Sequence, residues 1–131
     1  MKNMIIRLLE KALVKETRFS REQISILLSP SGQVADVETP AEKFTVLLSE
    51  RSERSFKTEA FALSLDGIES IRALKAKYIF FHSSDCHRGI LMGVVADAGN
   101  WVTEFYDEFD DPIWVFRPLL NPKVYFKRKA K

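Results

Sequence analysis

Apolar residues first recur at helical spacing. Over residues 3–17, Met4, Ile5, Leu8, Leu9, Ala12 and Leu13 fall at steps of three and four, while Lys2, Arg7, Lys11 and Lys15 lie off that stripe. The pattern predicts an amphipathic N-terminal helix. Its apolar face needs a partner, because an isolated helix of this length is marginal in water. The domain's own sheet is the expected partner, with a coiled-coil or partner-binding role as the alternative.

The period then shifts to two. Ile24, Ile26 and Leu28 alternate with Gln23, Ser25 and Leu27, and Val34 and Val37 mark a return strand over 33–38. Ser29-Pro30-Ser31-Gly32 between them carries turn chemistry. Thr39-Pro40-Ala41-Glu42 resembles a helix start, with a capping threonine, proline at the first position and a glutamate that can reach back. It favours a helix over 40–50, against the β-rich FTVLL that follows. SERSERS, residues 49–55, reads as a polar turn or loop. A strand over 58–65 and a short helix over 67–77, capped by Asp66, complete the middle of the chain.

The last third reads as an antiparallel meander. Tyr78–His82 and Ile90–Ala96 are strands flanking the loop SSDCHRG, and residues 97–100 form a turn. Residues 101–109 fit either a strand or a helix. Strands over 113–117 and 123–127 surround Pro118 and Pro122. Together these elements predict one α+β domain spanning 1–131, an antiparallel sheet of about five to seven strands with two or three helices on one face.

Composition narrows the class without naming a function. The chain has 131 residues, 46% hydrophobic and 29% charged, enough to build a core without metal or disulfide support. Net charge is +2, too balanced to imply nucleic acid by itself. There is one cysteine, Cys86, so no intrachain disulfide can form; a lone thiol suits a reducing compartment, and a cytoplasmic, bacterial or mobile-element protein is expected. No apolar run approaches the roughly 20 residues that cross a bilayer, so no membrane partner is expected.

The densest reactive cluster is His82-Ser83-Ser84-Asp85-Cys86-His87, at the end of a strand. A Cys86 thiolate activated by His82 or His87, with Asp85 orienting the histidine, would make a nucleophilic enzyme. Adjacent strand residues point to opposite faces, which works against that geometry. The same side chains are competent metal ligands, but their spacing matches no closed site, so neither metal nor cofactor is expected. The plainer reading is a hairpin loop with Cys86 half-buried.

Two further stretches bear on partners. Trp101, Glu104, Tyr106, Asp107, Glu108, Asp110, Asp111 and Trp114 interleave rings with carboxylates, a composition suited to binding another protein. The tail Lys123, Lys127, Arg128, Lys129 and Lys131 could contact nucleic-acid phosphates. The expected function is a small non-enzymatic interaction protein (an inhibitor, immunity-type protein or adaptor), monomeric or homodimeric, using the acidic–aromatic stretch. A Cys/His enzyme and a nucleic-acid-binding accessory protein are the alternatives.

Overall fold

A computed structural model describes residues 2–58 and 61–96, and the backbone of residues 105–106, 112–116 and 123–126. The predicted N-terminal helix is α1, Lys2–Thr17. Leu9 and Leu13 on its stripe are fully buried, with Ile5, Leu8, Ala12 and Val14 packed around them. The helix ends where Arg18 turns left-handed at φ 66°, and the Thr17 hydroxyl donates back to the Leu13 carbonyl at 2.7 Å.

Strands β1, Ser25–Leu28, and β2, Val34–Glu38, form the expected antiparallel hairpin. Its turn is closed by the Gly32 N–H donating to the Ser29 carbonyl at 2.9 Å, with Gly32 at φ 73°. The helix expected over 40–50 is instead β3, Lys43–Glu50, antiparallel to β2. Thr39 does use its hydroxyl as a cap would, accepting the N–H groups of Ala41 at 3.2 Å and Glu42 at 3.1 Å. The Thr39 N–H then donates to the Glu42 carbonyl at 2.9 Å, which folds the segment into a hairpin turn. Beyond it, Val46 and Leu48 are buried at strand spacing, and that burial outweighs the local helix signal.

The polar segment expected as a loop contributes a short helix, α2, Glu53–Thr58, anchored by buried Phe56. Strand β4, Phe61–Ser64, and helix α3, Leu65–Leu74, follow. Helix α3 starts earlier and stops sooner than the sequence pattern suggests, with Lys75 left-handed at φ 52°. Strand β5, Tyr78–Ser83, then pairs parallel to β3, and β6, Arg88–Ala96, pairs antiparallel to β5. The excursion through α2, β4 and α3 returns the chain to the same end of the sheet, which is what a parallel pairing requires.

Three further strands are β7, Phe105–Tyr106, β8, Pro112–Phe116, and β9, Lys123–Phe126. Among the described residues the main sheet has six strands in the order β1-β2-β3-β5-β6-β9, and β9 lies parallel to β6 from Gly93 onward. A smaller sheet runs β4-β8-β7. The fold is therefore α+β with a mixed, mostly antiparallel main sheet.

The helices do not share one face. Leu9 and Leu13 of α1 join Ala35, Val37, Val46, Leu48 and Phe80 on one side. Phe56 of α2, Phe61 and Leu63 of β4 and Ile71 of α3 join Ile79, Phe81 and Met92 on the other. Strand β5 is buried at all six positions because both its faces are covered.

Candidate functional site

The reactive cluster begins at the carboxyl end of β5, and strand alternation divides it. His82 follows Phe80 by two positions and stacks on it, ring centroids 6.1 Å apart, on the side covered by α1. Cys86 is half-buried against the opposite cluster, which contains Phe81 and Met92. His87 is exposed at φ 52° in the turn, and Asp85 is exposed, its N–H donating to the Ser83 hydroxyl at 3.2 Å. Among the described residues, no hydrogen bond joins Cys86 to either histidine.

Residues that the sequence pattern did not single out gather around His82 instead. Parallel pairing sets Glu50 of β3 directly beside it. The Ser84 hydroxyl donates to Glu50 Oε1 at 3.2 Å. Burial pushes the His82 pKa down and outweighs the Glu50 charge, which acts the other way. The Arg51 N–H donates to the His82 carbonyl at 2.8 Å, and its guanidinium lies 5.4 Å from the centroid of the Phe81 ring. Arg51 Nε is buried without a hydrogen-bond partner among the described residues, and burial lowers the Arg51 pKa.

The carboxyl ends of parallel strands are a common place for ligand crevices. Here the Ser84 hydroxyl donates to the Glu50 carboxylate, and among the described residues no hydrogen bond joins it to the His82 imidazole. Among the described residues no three His, Cys, Asp or Glu side chains gather as a metal site. Sequence alone gives no cue to Glu50, because it joins His82 through a parallel pairing of distant segments.

A second candidate is the outer surface of the first three strands. Ile26 and Leu28 of β1 turn toward α1, while Leu27 points away and is 68% exposed. Leu27 stands opposite Asp36, and beside them lie the pairs Thr45 with Asp36, 3.4 Å, and Lys43 with Glu38, 3.7 Å. These residues border an open groove of about 390 Å³.

Of the acidic–aromatic stretch, Trp101, Glu104, Asp107, Glu108, Asp110 and Asp111 lie outside the described residues. Tyr106 in β7 stands opposite Pro112, and Trp114 in β8 stands opposite Leu63, whose side chain is buried. Of the basic tail, Lys123 opens β9, and Lys127, Arg128, Lys129 and Lys131 lie outside the described residues. No helix among the described residues is long and apolar enough to cross a membrane. Comparison with protein-family models, curated proteins and solved structures finds no match to this chain.

Proposed function

We propose that this chain is a protein-interaction domain, an inhibitor or adaptor that binds another protein in the cytoplasm without catalysing a reaction. The observation that carries this reading is the edge strand β1. It contains no charged residue, ends the main sheet among the described strands, and exposes Leu27 at 68% on the side away from α1. Sheet edges normally carry charge, proline or a bulge to block pairing with other chains, and an edge without them is suited to accept a partner strand. The acidic–aromatic segment from Trp101 to Trp114 is proposed as a second contact, supplying charge complementarity to a basic partner.

Affinity capture with tagged protein tests both surfaces. The native chain is expected to retain a stoichiometric partner that Leu27→Glu loses, and Asp107→Lys with Asp110→Lys is expected to weaken capture. Absence of any stoichiometric partner, or equal capture by all variants, contradicts the reading.

A further inference from the structure

We infer that the groove between α1 and the edge of β6 that no described strand covers binds an extended acidic peptide by adding it to the sheet as a strand. This surface is separate from the β1 edge and stands on its own observations. The groove measures about 630 Å³, and Leu8, Lys11, Ala12 and Lys15 of α1 face Gly89 and Leu91 of β6 across it.

The backbone supplies the first half of the recognition. The Val94 N–H donates to the Lys77 carbonyl at 2.8 Å, toward β5. Peptide groups alternate sides along a strand, so those of Gly89 and Leu91 point the other way, to the outer edge. Strand β9 occupies that edge only from Gly93 onward. Among the described residues, the N–H and carbonyl groups of Gly89 and Leu91 therefore have no strand partner, and they lie in the groove. An extended chain is the ligand whose donors and acceptors match such an edge.

Charge supplies the second half. Lys11 and Lys15 are exposed on the groove wall and have no ion-pair partner among the described residues. Among the described residues that line the groove, Glu16 is the one carboxylate. Arg88 also lines the groove and adds a third positive charge at its rim, with its guanidinium 5.6 Å from the Phe56 ring centroid. The two lysines are four residues apart, a rise of about 6 Å on a helix. Alternate side chains of an extended peptide are about 6.6 Å apart. Acidic residues two positions apart would thus meet Lys11 and Lys15 in turn, over the apolar floor of Leu8 and Ala12. Nucleic acid would use the lysines but not the backbone edge, so a peptide fits more of the groove.

Fluorescence anisotropy with a short labelled peptide alternating glutamate and valine tests the assignment. Saturable binding is expected, with affinity reduced about tenfold or more by Lys11→Glu with Lys15→Glu, checked for folding by circular dichroism. Methylating alternate backbone nitrogens of the peptide should abolish binding, and Leu27→Glu should leave it unchanged. No binding, equal binding of a lysine-for-glutamate peptide, or indifference to backbone methylation overturns the inference. Displacement of the peptide by a single-stranded oligonucleotide at lower concentration than unlabelled peptide would overturn it in favour of nucleic acid.

Discussion

Gly89 leaves no room for a side chain. A Cβ at this position would run into the ring of Phe80. Gly89→Ala should therefore destabilise the fold by about 1–3 kcal/mol in urea melts, the usual cost of overpacking. Phe80→Leu on that background should recover part of the loss, giving non-additivity in a double-mutant cycle. His82, directly opposite Gly89, makes stability depend on pH. Its folded pKa lies below the ordinary 6.5, so the unfolded chain takes up a proton first as pH falls. This histidine contributes no pH dependence well above that value. Below it, stability declines until the folded-state pKa is passed. His82→Gln should lose less stability than the native chain between about pH 7 and about pH 5, measured by chemical denaturation. Arg51 is the opposite case: its buried Nε lacks a hydrogen-bond partner among the described residues, so Arg51→Met should be neutral or raise Tm.

At the scale of elements, legibility followed whether a segment's partner lay nearby in the chain. Helix α1 was readable because Leu9 and Leu13 repeat at the helical period, and the β1–β2 hairpin because Ser29 to Gly32 carry its turn. Strand β3 was not, because Thr39 uses a capping hydroxyl in a hairpin turn and strand burial at Val46 and Leu48 decides the outcome. Thr39→Ala should cost about 1 kcal/mol, since two N–H groups lose their shared acceptor. Helix α2 was hidden in a run of serines and charges; Phe56, which lies just past that run, packs edge-on to Phe61 with centroids 5.1 Å apart. The reactive cluster was visible as a string of residues, yet its division between two sheet faces depends on how β5 is covered.

On the scale of the whole molecule, one sheet carries two cores, with α1 on one side and the α2–β4–α3 excursion on the other. The parallel pairing of β3 with β5 joins them and brings Glu50 to His82, a long-range relation that no local pattern encodes. The same layering leaves Leu27 of β1 and Asp36 of β2 exposed on the side away from α1, which is where the interaction reading rests. Antiparallel pairing fixes how that edge presents itself. The Ser29 N–H donates inward to the Val34 carbonyl at 2.8 Å, so by alternation the N–H groups of Ile26 and Leu28 point outward from the sheet. Amide hydrogen exchange at Ile26 and Leu28, measured with and without the captured partner, therefore tests the proposal most directly. Rapid exchange in the free chain and strong protection in the complex is the expected result; unchanged rates at both amides in a saturated complex would contradict it.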